Sequence, residues 1–132
     1  MLIIGEIENI YLDDFKTPFE SRIDSGAATS SIDATKIQSF ERDGDKWVKF
    51  TITNRKSKKA MILSRRIVRQ VRIKGDKMIR YVVKLRIRVG HNYIEREFTL
   101  ANRKNYRYSM LIGRNVLSGI ALIDVSKKKT LD

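Results

Sequence analysis

The stretch Ile23-Asp24-Ser25-Gly26-Ala27 decides how this chain is interpreted. It combines an extended apolar approach with an aspartate, a hydroxyl residue and a glycine. By itself it is typical of an ordinary turn, because Asp, Ser and Gly all favour turns. An aspartate at a tight turn is also a candidate catalytic carboxylate, and one copy in 132 residues supplies only half of a carboxylate pair. The motif therefore joins a chemical hypothesis to a symmetric dimer.

Composition restricts the class of protein. A length of 132 residues with 42% hydrophobic and 33% charged residues predicts a single folded domain spanning 1–132. The absence of cysteine and the single histidine, His91, exclude disulfides and thiolate sites and leave no cluster for a catalytic metal. We therefore expect no cofactor and no metal. The apolar start is broken by Gly5 and Glu6, so we expect a cytoplasmic protein without a membrane partner.

Positive charge is concentrated in one part of the chain. Residues 55–107 contain 18 Lys and Arg against three acidic residues, a charge of +15, whereas the rest of the chain, with 10 basic and 12 acidic residues, carries −2. Evenly scattered charge would serve solubility equally well. The distribution therefore favours an anionic partner such as an acidic polypeptide, nucleic acid or the ribosome.

Short alternating runs rich in Ile and Val, with one proline, predict an all-β fold with little helix. The last strand should be preceded by one or two helical turns over Gly113–Ser118. The predicted strands outside the hairpins are Leu2–Leu12, bent near Gly5, then Phe19–Ile23, Ser30–Ala34, Met110–Ile112 and Ile120–Val125.

Two turn signals predict hairpins with a definite register. Asp43-Gly44 should pair Phe40 with Trp47 and Glu41 with Lys46. Gly90-His91 should place Arg86 opposite Glu95 and Lys84 opposite Glu97, two pairs of opposite charge. It should also place Ile87 opposite Ile94, an apolar pair.

A third turn signal, Gly75-Asp76, predicts a long basic hairpin that joins Arg66–Ile73 to Lys77–Val89. Of its cations, Lys84, Arg86 and Arg88 should form a solvated sheet face. Those nearer the tip have almost no acidic neighbours in sequence and are better candidates for an anionic ligand; they are Arg69, Arg72, Lys74, Lys77 and Arg80. The run Lys127–Lys129 is expected to be a solvated tail.

A second element changes the interpretation of Asp24. Met110 to Leu117 reads as an apolar strand, a Gly-Arg-Asn turn and a short apolar helix. Asp24-Ser25-Gly26-Ala27 followed by Leu111-Ile112-Gly113-Arg114-Asn115 resembles the motif pair of retropepsins, the single-domain aspartic peptidases of retroviruses and their cellular relatives. The resemblance runs from about Phe19 to Val125. It implies a closed retropepsin-like (acid protease) barrel of antiparallel hairpins.

Finer features resemble one bacterial and archaeal branch, the RimB-type peptidases. These are the runs from Asp24 to Ser31, from Phe40 to Gly44 and from Glu97 to Arg103. This branch was once labelled as ATP-dependent zinc proteases and is associated with a ligase that adds glutamates to a ribosomal protein. The residues do not support the old label, since the chain has neither a Gly-rich phosphate loop nor the histidines of a zinc site.

The resemblance assigns expected roles to individual residues. Asp24 would be the catalytic carboxylate, paired with its symmetry mate, so that one proton is shared between the two. Ser25 would tie the two turns together across the dimer axis, and Gly26, followed by Ala27, would allow close approach of backbone and substrate. Viral relatives carry an acidic residue where this chain has Ala28.

In the second motif, Ile112 and Gly113 would pack beneath the turn, with Asn115 following, and Arg114 would be a buried anchor whose partner is left open by Ala28. The flap of the family would correspond to Arg72, Ile73, Lys74, Gly75 and Asp76, a basic tip that favours an acidic substrate. By analogy alone, Leu2–Ile4 and Leu122–Val125 are candidate dimer edges.

Three hypotheses follow. The first is a homodimeric aspartic endopeptidase that acts on acidic, Glu-rich or ribosome-associated substrates. The second is a small basic β-barrel that binds RNA or the ribosome without catalysis; few and unclustered aromatic residues count against a stacking platform. The third keeps the peptidase fold without the activity.

Overall fold

The structure is a computed structural model that describes residues 1–72, 75 and 78–131. Within these residues, strands with short connections account for most of the chain, and the one helix has four residues. No helix in this part of the chain is long and apolar enough to cross a membrane. The elements are β1 (Leu2–Ile4), β2 (Ile7–Leu12), β3 (Phe19–Ile23), β4 (Ser30–Asp33), β5 (Thr35–Arg42), β6 (Asp45–Thr53), β7 (Ala60–Arg66), β8 (Arg69–Arg72), β9 (Ile79–Val89), β10 (Asn92–Ala101), β11 (Met110–Ile112), α1 (Arg114–Leu117) and β12 (Ala121–Ile123).

Six strands close into a barrel. Their order is β10, β4, β11, β3, β2 and β9, and β9 pairs again with β10. The alternation in β9 positions its side chains as predicted, because Val83, Leu85, Ile87 and Val89 are all buried while Lys84 is exposed. The expected all-β fold, a closed retropepsin-like barrel with one short helix near its end, is confirmed.

Two pairings of the barrel are parallel rather than antiparallel. Strand β11 runs alongside β3 with Ile112 opposite Ile23, and β10 runs alongside β4 with Phe98 opposite Ser30. Parallel neighbours must be joined by a crossover, so these strands come from distant parts of the sequence. The crossovers bring the end of β3 and the end of β11 to the same edge of the barrel.

The β5–β6 hairpin has the predicted register, with Phe40 opposite Trp47 and Glu41 opposite Lys46. A third strand, β7, was not predicted. It pairs with β6 and places Arg66 opposite Trp47, so the flap hairpin starts at Arg69 and not at Arg66. The turn before β7 is held by the Asn54 side chain, whose Oδ1 accepts two backbone N–H groups. A side-chain-stabilised turn of this kind carries no Gly or Pro signal.

The β9–β10 hairpin also has the predicted register, with Arg86 opposite Glu95 and Lys84 opposite Glu97. The ion pairs differ from the expectation at one position. Glu97 pairs with Arg69, because β8 lies beside β9 and brings this guanidinium across the sheet. Arg69 is therefore not an unpaired cation, which corrects its assignment as a ligand contact.

The two ends of the described chain lie together. Strand β12 covers only Ala121–Ile123 of the predicted Ile120–Val125 and pairs in parallel with β1. The segment after it is not a solvated tail. Its lysine side chains are exposed, but the Lys129 N–H donates to the Ile7 carbonyl at 2.7 Å, and the buried Glu8 carboxylate accepts bonds from Thr130 and Leu131.

Candidate active site

The Asp24 turn begins where β3 ends. The Asp24 N–H donates to the Ile112 carbonyl at 2.9 Å, which continues the pairing between β3 and β11 by one residue. Its side-chain Oδ1 accepts the Gly26 N–H at 2.9 Å, and its carbonyl accepts the Ala27 N–H at 3.3 Å. The carboxylate is thus fixed by its own turn, half-buried, next to the exposed Ser25 and Gly26.

The second motif lies directly beneath this turn, as the resemblance implied. A Cβ atom on Gly113 would stand 2.3 Å from the Thr29 carbonyl oxygen and 2.8 Å from that of Ala27. The next two N–H groups of the motif bond to the turn as well, Arg114 to the Ala27 carbonyl at 2.8 Å and Asn115 to the Ala28 carbonyl at 3.2 Å. The glycine is needed for this close approach and not for an unusual backbone angle, since its φ is −99°.

A buried hydroxyl group joins the two motifs. Ser30 is fully buried, and its Oγ accepts the Gly113 N–H at 2.9 Å and donates to Asn115 Oδ1 at 2.7 Å. The Asn115 amide donates in turn to the Glu97 carbonyl at 2.8 Å. The sequence interpretation gave Ser30 no role, although a serine at a buried strand position was a signal that a polar partner would lie nearby.

Arg114 is exposed in the single chain, which corrects the expectation of a buried anchor. It is the first residue of α1 and its side chain points along the turn, where Nη1 donates to the Ser25 carbonyl at 2.8 Å. The Ser25 carbonyl is therefore the partner of Arg114, which the sequence left open because Ala28 stands where viral relatives carry an acidic residue. The arginine still supports the Asp24 turn, but from its outer side.

A cleft of about 530 Å³ opens at Asp24. Its wall is predominantly basic and aromatic, and the sequence interpretation did not single out this set. Another concavity, of about 510 Å³ between Tyr11 and Tyr93, contains no residue of either motif. The charged and aromatic residues that line the Asp24 cleft, besides Asp24 and Glu6, are Arg22, Arg103, Tyr106, Arg107, Tyr108 and Lys128.

The predicted flap is seen only at its base. Arg72 lies opposite Ile79 in the β8–β9 hairpin, and Gly75 has a φ of +83°, the left-handed conformation that favours glycine. The flap residues Ile73, Lys74 and Asp76, together with Lys77, lie outside the described residues. Arg72 is exposed, and no carboxylate of the described chain pairs with it.

The described residues bring no group of three or more His, Asp or Glu side chains together in a way that could hold a metal ion. The polar groups near Asp24 are instead backbone N–H groups, the Ser30 hydroxyl and cationic side chains. This donor set suits the orientation of a carboxylate and the binding of anionic groups.

Comparison with known proteins agrees with this geometry. A crystal structure of a protein of unknown function from Legionella pneumophila superposes with a TM-score of 0.86 and 26% identity, covering 99% of this chain and 98% of the other. Two curated relatives are named probable alpha-L-glutamate ligases. The one from Shewanella pealeana is 39% identical over 113 residues, covering 82% of this chain and 25% of the relative. The one from Desulfotalea psychrophila is 34% identical over 128 residues, covering 92% of this chain and 28% of the relative.

The chain thus spans about a quarter of the length of these ligases. The family match covers nearly the whole chain, from residue 3 to residue 132, and it includes the Asp24 turn and the second motif. This chain belongs to the RimB-like family of retropepsin-like aspartic endopeptidases.

Proposed function

We propose that this protein is a homodimeric aspartic endopeptidase whose active site contains Asp24 from each of two subunits. The observation that carries the proposal is the position of Gly113 beneath the Asp24 turn, with N–H groups of both motifs bonded across it. Membership of a family described as aspartic endopeptidases supports the same activity.

The proposed chemistry needs both carboxylates. Two carboxyl groups about 3 Å apart cannot both ionise and so hold one proton between them. The ionised group removes a proton from a water molecule as the water oxygen attacks the peptide carbonyl carbon, while the protonated group donates to the carbonyl oxygen. Collapse of the tetrahedral intermediate breaks the C–N bond. The amine nitrogen takes the proton that the first carboxylate removed from water, and a hydroxyl of the intermediate returns a proton to the second carboxylate as the carboxylic acid product forms.

An apolar edge supports the dimer. Strands β1 and β12 form a separate two-stranded sheet, and three of the large apolar side chains in or next to it are exposed: Ile3 (57%), Leu122 (59%) and Val125 (74%). Exposed apolar residues that lie together indicate a surface that another chain covers. In the proposed dimer the exposed Ser25 lies at the axis and contacts its symmetry mate.

An acidic substrate is the second part of the proposal. The +15 charge of residues 55–107 would attract a polyanionic peptide. So would Arg72 at the base of the flap, which pairs with no carboxylate among the described residues. Regions similar to this chain lie within proteins named as probable alpha-L-glutamate ligases, which supports a glutamate-rich substrate, whether free or on the ribosome. Glu-rich peptides should then be cleaved faster than neutral ones, and added salt should remove the difference. Equal rates with equal salt sensitivity would contradict this part.

The test of the activity is Asp24→Asn. This change preserves shape and the Gly26 hydrogen bond but cannot supply the ionised group, so peptide cleavage should be abolished while the melting temperature is retained. Asp13→Asn, at an exposed residue outside both motifs, is the matched control and should retain activity. Cleavage that persists in a folded Asp24→Asn protein would refute the proposal.

One observation favours the alternative, an RNA- or ribosome-binding barrel. Phe40 and Trp47 are adjacent, with ring centroids 6.4 Å apart and planes 28° apart, and the Arg42 guanidinium lies over both rings. The sequence predicted that Phe40 would pair with Trp47, and the structure adds the guanidinium over both rings. Trp47 is the single tryptophan, so its fluorescence reports on this surface directly. Quenching by oligouridylate that weakens steeply with salt, in a protein that cleaves no peptide, would favour this function.

A further inference from the structure

The wall of the Asp24 cleft contains a buried cation that forms no ion pair with the described residues. Arg103 follows β10 and is 9% exposed. Its Nε donates to the Tyr108 carbonyl at 3.1 Å, and its guanidinium lies 4.7 Å from the centre of the Tyr106 ring. No carboxylate in the described part of the chain lies within 4 Å of this guanidinium. Burial lowers the pKa of Arg103 from its ordinary value, which means that the site destabilises the charge it holds.

The nearest carboxylate is engaged elsewhere. Asp33 accepts the backbone N–H of Arg103 at Oδ1, at 2.7 Å, and its Oδ2 lies 3.6 Å from the Arg55 guanidinium. Arg55 also donates to the carbonyls of Arg103, Tyr106 and Arg107. These contacts fix the loop that carries Arg103, and Arg55 is a positioning residue for it. The Asp33 charge raises the pKa of Arg103 but forms no ion pair with its guanidinium.

A second unpaired cation lies beside the first. Arg22 is exposed on β3, two residues before Asp24, and makes no ion pair with the described residues. It stands opposite Leu111 in the β3–β11 pairing and lines the same cleft as Arg103. After burial and repulsion from Arg55, repulsion from Arg22 also lowers the pKa of Arg103. Both guanidinium groups line the cleft at the candidate catalytic carboxylate, and neither pairs with a carboxylate of the described residues. Guanidinium groups bind carboxylates strongly and with defined geometry.

We propose that Arg22 and Arg103 form a subsite that binds the carboxylate of a Glu or Asp side chain of the substrate near the scissile bond. Leu111 contacts the aliphatic part of that side chain, and Tyr106 supports the Arg103 guanidinium from below. The inference rests on the proposed peptidase function and assigns its acid preference to the cleft wall, whereas the sequence placed that preference on the flap. Selection then depends on contacts with these two arginines and not only on the diffuse charge of the hairpin.

Binding to the 132-residue Asp24→Asn chain tests the subsite without cleavage. The probes are a fluorescently labelled decaglutamate and the matched decaglutamine, compared by anisotropy at physiological salt. Arg22→Met and Arg103→Met should each reduce the preference for decaglutamate about tenfold or more, since a hydrogen-bonded ion contact is lost. The matched control is Arg86→Met on the exposed face of β9, which removes the same charge outside the cleft and should leave the preference within about twofold.

The variants also separate the subsite from general attraction. If Arg86→Met lowers the preference as much as Arg22→Met, the effect is diffuse charge and the subsite is refuted. Arg22 is exposed, so its variant should fold even if Arg103→Met does not. Arg22→Glu should remove the preference for decaglutamate over decaglutamine, and a folded Arg22→Glu protein that keeps the wild-type preference would also overturn the subsite.

The two proposals can fail independently. Selective binding that depends on Arg22, in a protein whose wild type cleaves no peptide, would leave the subsite and remove the peptidase function. If the wild type cleaves peptides and neither arginine variant changes the preference for glutamate, the peptidase function stands and the subsite is refuted.

Discussion

Thr29 and Gly113 are in such close contact that a Cβ atom added to Gly113 would lie only 2.3 Å from the Thr29 carbonyl oxygen. Because the obstacle is backbone of the Asp24 turn, Gly113→Ala must displace the turn or the strand beneath it. We expect a loss of about 1–3 kcal/mol of stability, together with loss of peptide cleavage. Urea unfolding and a peptide assay measure the two effects.

Gly44→Ala is the control for this change. Gly44 has a φ of +81° but no atom within 4 Å of its added Cβ, so it tests the general effect of replacing a glycine. Its variant should keep peptide cleavage. A Gly113→Ala protein with wild-type stability and activity would show that the two motifs are not in close contact.

Ser30 connects Gly113 to Asn115 through one hydroxyl group. Ser30→Ala leaves the buried Gly113 N–H and Asn115 Oδ1 without this partner. The expected cost is about 1–3 kcal/mol in the free energy of unfolding, the usual penalty for an unsatisfied buried polar group. Ser126→Ala, at an exposed serine, should cost clearly less, and equal costs would contradict the importance of the network.

Glu8 fastens the last described residues to the barrel. Its buried carboxylate accepts hydrogen bonds from the N–H groups of Gly5, Thr130 and Leu131 and from the Thr130 hydroxyl. Glu8→Gln turns one acceptor into a donor that faces other donors, so we expect segment 127–131 to detach. Hydrogen exchange should then be faster in this segment and in β1 than in β9. Unchanged exchange of residues 127–131 would refute the role of Glu8, and Glu41→Gln, at an exposed glutamate on β5, serves as the control.

The proposed dimer depends on the apolar edge at β12. Leu122→Glu places a charge on a residue that the partner would cover, and burying an unpaired charge is costly. We expect a monomer by sedimentation velocity and no peptide cleavage. Ile62→Glu is the matched control, since Ile62 is equally exposed (66%) but lies on β7. If both variants remain dimeric, the interface lies elsewhere.

The sequence predicted features that depend on residues close together along the chain. The hairpins at Asp43-Gly44 and Gly90-His91 were assigned with their register, because a glycine turn and complementary cross-strand pairs act over a few residues. Strand β7 was missed because its turn depends on the Asn54 side chain and not on glycine or proline.

Contacts between distant segments were harder to predict. The bond from Ser30 to Asn115 spans 85 residues, and the pairing of Glu97 with Arg69 requires knowing that β8 lies beside β9. The motif resemblance correctly placed Gly113 beneath the Asp24 turn. It did not indicate Arg22 and Arg103, because their meeting in one cleft depends on the loop that Arg55 holds.

The central claim is that each active site needs one Asp24 from each of two subunits, and subunit mixing tests it most directly. Wild-type protein is co-refolded with increasing amounts of Asp24→Asn, and cleavage is measured per wild-type chain. Mixed dimers should be inactive, so this activity should fall in proportion to the wild-type fraction, to about a tenth at a ninefold excess of the variant. Activity per wild-type chain that stays constant at every ratio would contradict the shared active site.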